Sequence, residues 1–278
     1  MDIESLFSVK GKVVLVTGGA KGVGRMISEA FVQNGAKVYI ASRDAAACNA
    51  ACAELNALLS SSSSSSSSTK GSAIPLPADL SKPSDCQRLA AELTRRETKL
   101  HVLVNNSGAT WGEAYDQFPD AAWTKLLTLN LQRVFTLTQL LTPLLEAAAD
   151  LSSGGTTLDP ARVIHIGSID GIRVPVLPTY AYSASKAGLH HLSRHLAVEL
   201  GPRGITSNTL ACGPFPSKMM AATLESFGED IKAANPLGRI GMPSDVGGAC
   251  IFLASKAGAF VNGATITLDG GVVLQSKI

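Results

Sequence analysis

Short apolar runs rich in β-branched residues alternate with longer helical stretches along the whole chain. Residues 12–17 (KVVLVT) form the run that a strand buried on both faces requires. The cluster Gly18-Gly19-Ala20-Lys21-Gly22-Val23-Gly24 follows at once. Residues 25–34 then read as a helix with Gly35 as its left-handed cap, and 37–41 (KVYIA) as a second strand. Further strands are expected at 73–77, 100–105, 162–167, 205–211 and 264–268. Helices are expected at 45–59, 123–145 and 181–200, with another starting at Pro243 and carrying Asp245 in its first turn. Strand and helix alternate from end to end, which predicts one doubly wound α/β domain over 1–278 with a mostly parallel seven-stranded sheet. Two stretches break the pattern. A serine run at 60–68, continuing to Gly71, cannot pack a core and reads as a surface insertion. Residues 151–160, rich in Ser, Gly and Thr, read as a loop.

Composition removes several function classes. The 278 residues are 45% hydrophobic and 17% charged with net charge +2, and no basic cluster is interleaved with aromatics, so neither nucleic acid nor a membrane surface is the expected partner. No run approaches a membrane span. The five cysteines, Cys48, Cys52, Cys86, Cys212 and Cys250, are odd in number and scattered, which indicates neither a disulfide framework nor a metal site. They fit a reducing compartment, and the start of the chain, with Asp2 and Glu4, lacks the features of a secretory signal. Cytoplasm is therefore the expected location. Ser276-Lys277-Ile278 differs by one residue from a peroxisomal signal and keeps that alternative open.

The candidate chemistry starts at Tyr182-Ser183-Ala184-Ser185-Lys186. A Tyr and a Lys four apart share one helix face, and an ammonium beside a phenol favours phenolate. Tyr182 is thus a candidate acid/base, although the same spacing arises on helices with a packed Tyr and a solvated Lys. Strand, glycine loop, helix and strand at the start of the chain form a βαβ unit in which glycines let a backbone approach a pyrophosphate. The second strand ends in Ser42-Arg43 without the acidic residue that would bind an adenosine ribose, and Arg43 with Lys21 favours NADP(H) over NAD(H). Asp79-Leu80 closes the third strand where an adenine would be bounded. Asn106 and Gly108 follow the fourth. Asn130 lies inside a helical run, where a solvent-facing side chain is the ordinary explanation and a distortion holding a water the functional one. Ser168 stands at the C-terminal end of the fifth strand, the sheet edge where ligands bind. Residues 212–219 form a Pro-rich loop over that edge.

TGGAKGVG at 17–24, NNSG at 105–108, Asn130, Ser168, YSASK at 182–186 and the run from PLGRIGMP to DGG at 236–271 together resemble the short-chain dehydrogenase/reductase family, over nearly the whole chain. Trp111-Gly112, YAYSASKAGLHHLSR at 180–194 and FPSKM at 215–219 look like the rhamnolipid-type 3-oxoacyl-[acyl-carrier-protein] reductases. The resemblance implies a Rossmann-type fold and an NADPH-dependent reduction of a 3-oxoacyl thioester or similar β-keto substrate. Another ketone (steroid, quinone, polyol, secondary metabolite) and a non-catalytic NADP(H)-binding regulator remain alternatives. Dienoyl-thioester reductases of the superfamily lack this Tyr motif. In the implied roles Tyr182 is the proton donor, Lys186 lowers its pKa and binds the nicotinamide ribose, Ser168 orients the carbonyl, and Asn130 holds a relay water. Gly18, Lys21, Gly22, Val23, Ser42, Arg43, Asp79, Leu80, Asn106, Gly108, Phe215 and Ser217 are implied to line the cofactor, with Ser217 at its carboxamide. A homotetramer or homodimer is implied, pairing the helices that bear Asn130 and Tyr182, for which Leu126, Leu127, Val134 and Leu137 are candidates. The sequence departs from the family at Ser107, at Cys212 where Pro is usual, and in the 14-residue step from Ser168 to Tyr182. Tyr180 has Ala184, not Lys, four residues on and is not expected to be the proton donor.

Overall fold

The computed structural model describes residues 2–61, 71–151 and 157–275. In chain order the elements are α1 (Ile3–Leu6), β1 (Val13–Thr17), α2 (Gly22–Gln33), β2 (Lys37–Ala41), α3 (Ala45–Ser61), β3 (Ser72–Pro75), α4 (Pro83–Arg96), β4 (Val102–Asn105), α5 (Asp120–Leu127), α6 (Arg133–Ala148), β5 (Asp150–Leu151), β6 (Thr157–Asp159), β7 (Ala161–Ile166), α7 (Tyr180–Leu200), β8 (Ile205–Cys212), α8 (Ala221–Ala233), α9 (Pro243–Ala254) and β9 (Thr265–Leu268). Seven of the strands form one sheet in the order β3-β2-β1-β4-β7-β8-β9, and every pairing in it is parallel. This is the doubly wound Rossmann-type arrangement expected from the alternation of elements.

Helices cover both faces, so every residue of β1, β4, β7 and β8 is buried. Val14 and Val16 pack in one layer with Ile27 and Phe31 of α2 and Leu253 of α9. Leu15 and Leu103 pack in the other with Leu89 and Leu93 of α4 and Leu141 of α6. Each such side chain stabilises the fold by roughly 1.5–3 kcal/mol.

Three local departures from the sequence reading matter. The helical run around Asn130 is split by a π-turn over Thr128–Gln132, in which the Arg133 amide reaches back to the Thr128 carbonyl. The stretch expected as a loop at 151–160 carries an antiparallel pair, β5 with β6, while 152–156 lie outside the described residues. Asp159 of β6 accepts from Lys12 at 2.9 Å and pairs with Arg162 at 2.8 Å. Arg162, 1% exposed, also donates to the Leu253 and Ser255 carbonyls. The 151–160 segment therefore supplies the counter-charge for two buried cations at the foot of the sheet, which without it would bear an uncompensated desolvation cost. Finally, Leu126, Val134 and Leu137 are core residues of the chain itself, because the core side of α5 and α6 is the apolar side. Of the four candidates for a subunit interface only Leu127 is exposed.

The serine run begins inside α3, which includes Ser60 and Ser61; 62–70 lie outside the described residues, as do 276–278 with the C-terminal tripeptide. All five cysteines are free and buried. Among the described residues no helix is long and apolar enough to cross a membrane, and no cluster of His, Cys, Asp and Glu could hold a metal.

Candidate active site

The strand order reverses between β1 and β4, and a crevice opens there at the C-terminal ends of the strands. Helix α2 starts at Gly22, three residues before the expected start, so the amides of Gly22, Val23 and Gly24 belong to its first turn. Lys21 at the N-cap makes no side-chain capping bond, which leaves those amides available to an anion. The glycines are sterically required. A Cβ on Gly18 (φ 65°) would lie 2.7 Å from the Asn106 amide nitrogen, and one on Gly24 would lie 2.3 Å from the Gly18 carbonyl oxygen. Asn106 donates from Nδ2 to the Thr17 carbonyl at 2.9 Å. The Thr17 hydroxyl accepts from the Asn106 and Ser107 amides and donates to the Val104 carbonyl. Thr17 thus joins β1 to β4 at the floor of the crevice. Its sequence signal was a hydroxyl ending an otherwise apolar strand.

At the end of β2, Arg43 is exposed and makes no hydrogen bond or ion pair among the described residues. Lys21 does not stand beside it as a second free cation. Its ammonium pairs with Asp44 at 3.3 Å, both groups exposed, because the glycine loop and the start of α3 meet there. Such a pair is weak and easily exchanged. The main chain of Ser42 accepts from the Ala78 amide. Asp79 accepts from the amide and hydroxyl of Ser81, and Leu80 beside it is buried.

Across the crevice β7 delivers Ser168 and α7 delivers Tyr182 and Lys186. Ser168 is 6% exposed, and its side chain is within hydrogen-bonding reach of the half-buried Tyr182 phenol. Lys186 donates to the Ile166 carbonyl at 2.7 Å, with its ammonium 5.7 Å from the Tyr182 ring centre. Asn130 is fully buried, which overturns the solvent-facing explanation. Its amide donates to the Ala109 carbonyl and the Ser185 hydroxyl and accepts from the Ala109 amide, locking the loop after β4 to α7. A Cβ on Gly108 would lie 3.2 Å from Asn130 Oδ1 and 3.8 Å from Lys186 Nζ, so both polar ends face the same point.

The electrostatics differ from the expected Lys-lowered phenol. Desolvation pushes Tyr182 up to about 12, against a smaller opposing pull from Ser168, and pushes Lys186 down to about 8. Lys186 spends a donor on the Ile166 carbonyl and lies over the ring face, so desolvation outweighs any charge stabilisation of the phenolate.

A family model described as Enoyl-(Acyl carrier protein) reductase matches residues 18–273. The rhamnolipids biosynthesis 3-oxoacyl-[acyl-carrier-protein] reductase of Pseudomonas aeruginosa is 40% identical over 95% of this chain and 97% of its own length. The chain belongs to the short-chain dehydrogenase/reductase family. It is an oxidoreductase of that family. The structure of the Pseudomonas aeruginosa RhlG/NADP active-site complex superposes with a TM-score of 0.86 at 40% identity, covering 97% of this chain and 99% of that one. The short-chain dehydrogenase/reductase PhomF of Diaporthe leptostromiformis is 33% identical over 96% of this chain and 92% of its own length.

The lid of this short-chain dehydrogenase/reductase is pinned at its base. The Gly213 amide donates to the Leu268 carbonyl, and the Gly241 amide to that of Pro214. Cys212 is a small buried hydrophobe whose thiol is pushed up to about 12 by desolvation. Phe215, expected at the cofactor surface, is 2% exposed in the core, and its ring fills the space of a Gly241 side chain. It anchors the lid instead. A cavity of about 130 Å³ lies beside it, lined by Asn235, Arg239 and Asp269, and contains none of the four catalytic candidates. Ser217 reaches the cradle: a Cβ on Gly22 would lie 3.0 Å from its own. Tyr180 stacks edge-on with Tyr115 and Phe118 at 5.9 and 5.3 Å, part of a cluster of aromatic rings.

Proposed function

We propose that this oxidoreductase reduces a 3-oxoacyl thioester or a similar β-keto compound with NADPH. The observation that carries the reading is the convergence of Ser168, Tyr182, Lys186 and Asn130 on the crevice that holds the glycine cradle. The residues present fit a phosphorylated dinucleotide. Gly18 and Gly24 let the loop fold tightly against Asn106 at the start of α2, the α2 amides are uncapped, and Arg43 is free to fork onto a 2′-phosphate. Gly22 and Val23 would hold the pyrophosphate side, and Ser217, which meets Gly22, would join them there and not at the carboxamide; Ser42, Asp79 and Leu80 would hold the adenosine side; Asn106, Gly108, Tyr182 and Lys186 the nicotinamide side. When bound, the nicotinamide supplies the hydride.

The chain's own groups do the rest. Tyr182 keeps its proton at working pH and gives it to the carbonyl oxygen. Ser168 donates a hydrogen bond to that oxygen, a role in which one donor is worth roughly 3 kcal/mol. Lys186 and Asn130 bracket the position of a relay water near Gly108. The loop after Ser168 exposes Ile172, Val174, Val176 and Leu177, an apolar rim that favours an acyl chain over a polyol.

The test is NADPH consumption with a 3-oxoacyl thioester, a β-keto ester, a steroid ketone, a quinone and a sugar ketone, each repeated with NADH and with Arg43→Asp. Thioester turnover with NADPH is expected, and Arg43→Asp should raise the KM for NADPH by about 10–100-fold, the worth of one charge-assisted hydrogen bond. Turnover of a different ketone alone would discard the substrate, and an unchanged KM would discard Arg43.

Cytoplasm is the proposed location, and the protein is proposed to pair with copies of itself. Leu127, Phe135 and Val198 are exposed on the helices that flank the site, an apolar surface available to a second copy. Sedimentation is expected to give a dimer or tetramer; a monomer at micromolar concentration would refute this.

A further inference from the structure

Helix α7 grips the end of β7 at two points. Lys186 holds the Ile166 carbonyl, and four residues on, along the same face, His190 Nε2 accepts from the Ser168 amide at 3.4 Å. Between those contacts the strand must pass close under the helix. A Cβ on Gly167 would lie 2.3 Å from His190 Nε2, and one on Gly171 would lie 2.9 Å from His190 Cε1 and 2.8 Å from the Ala187 amide. Two glycines thus bracket Ser168 and bring its turn onto the imidazole. That turn is tight: the Gly171 amide donates to the Ser168 carbonyl, and the Asp170 amide to the Ser168 hydroxyl.

We propose that His190 is the positioning residue of Ser168. It holds the Ser168 main chain so that the hydroxyl is aimed at Tyr182 and the substrate carbonyl. The inference rests on the reading of Ser168 as the carbonyl-orienting group. His190 touches no reacting atom; it acts through one amide. A ring that accepts at Nε2 carries its proton on Nδ1, so the neutral tautomer is the one in use. At 4% exposure the ring is buried, and burial followed by the charges of Lys186 and Arg194 pushes it down to about 4, which keeps the acceptor available across working pH. The sequence signal was a glycine on either side of Ser168 and a His one turn beyond Lys186.

The test compares His190→Gln, whose side-chain oxygen reaches the place of Nε2, with His190→Leu and His190→Asn, whose groups cannot accept there. In the full-length enzyme His190→Leu and His190→Asn are expected to lower kcat by about 10–100-fold, as small displacements of a reacting group do, with the NADPH dissociation constant within twofold. His190→Gln should recover most of kcat. Combined with Ser168→Ala, either damaging variant should add nothing further, because both act on one group. If His190→Leu does not fold, His190→Asn carries the same comparison. A wild-type kcat in His190→Asn, a His190→Gln no better than His190→Asn, or additive losses with Ser168→Ala would overturn the inference. Full activity of Ser168→Ala would instead overturn the reading of the site.

Discussion

Tyr182→Phe lowers turnover by roughly 10²- to 10⁴-fold while NADPH still binds, the span that one positioned acid contributes. The substitution deletes a single oxygen from a ring packed between Ser168 and Lys186, so the crevice keeps its shape. The direction of the pH dependence follows from the site. With Tyr182 pushed up to about 12, the phenol is protonated throughout the working range, and carbonyl reduction has its proton at every pH tested. Alcohol oxidation needs the phenolate, so its rate should climb with pH. Lys186, pushed down to about 8, titrates in the same range, so its ammonium can give up a proton and its amine take one back. Retained turnover in Tyr182→Phe would remove Tyr182 from the acid/base role, and NADPH binding measured in parallel separates that result from a damaged cofactor site.

Acidification from about pH 7.5 to about pH 4.5 should cost the fold roughly 5 kcal/mol, a large part of the stability of an ordinary domain. Two buried histidines supply that share, and the half-buried His101, also pushed down to about 4 by burial, adds to it in the same direction. His165 is fully buried, with Asn105 and Ser207 as ring partners, and burial followed by Lys186 and His190 pushes it down to about 3. His190 is pushed down to about 4. In the unfolded chain both take up a proton near pH 6.5; in the folded protein neither does until far lower. Their stabilisation is therefore complete above pH 6.5 and is lost as pH falls toward 4 and 3. Each contributes roughly 2–3 kcal/mol of loss by pH 4.5, at about 1.4 kcal/mol per pH unit. The paired carboxylates Asp159 and Asp245 are held below their ordinary value and titrate at lower pH, whereas burial pushes the Asp170 carboxyl up, which offsets part of the histidine loss. Urea midpoints at the two pH values measure the loss. Equal midpoints would mean that the histidines titrate normally, and His165→Asn should flatten the slope by one proton's share.

Local order in this protein is written in local pattern. The runs at 37–41 and 205–211 announce β2 and β8 because a strand buried on both faces needs an unbroken apolar sequence, and Gly18 and Gly24 announce a close backbone approach because nothing larger fits. Helix α4 carries signals of the same kind, with Pro83 and Asp85 at its start and Arg95 and Arg96 at its end. The start of α2 moved to Gly22 because glycines inside a first turn are invisible to an apolar period. The polar residues required the tertiary structure. Whether Asn130 faces water or the core depends on Ala109 and Ser185, which no spacing along the helix reveals. Lys12, Asp159 and Arg162 form a buried charge cluster across 150 residues of chain, and Lys21 turned to Asp44 because two loops happen to meet. The strands themselves and the glycine turn were set by neighbours in sequence; the order of the strands in the sheet and the burial, pairing and pKa of the polar groups at the site were set by residues far away in it, since the energy of a charge or a hydrogen bond belongs to what surrounds it in space.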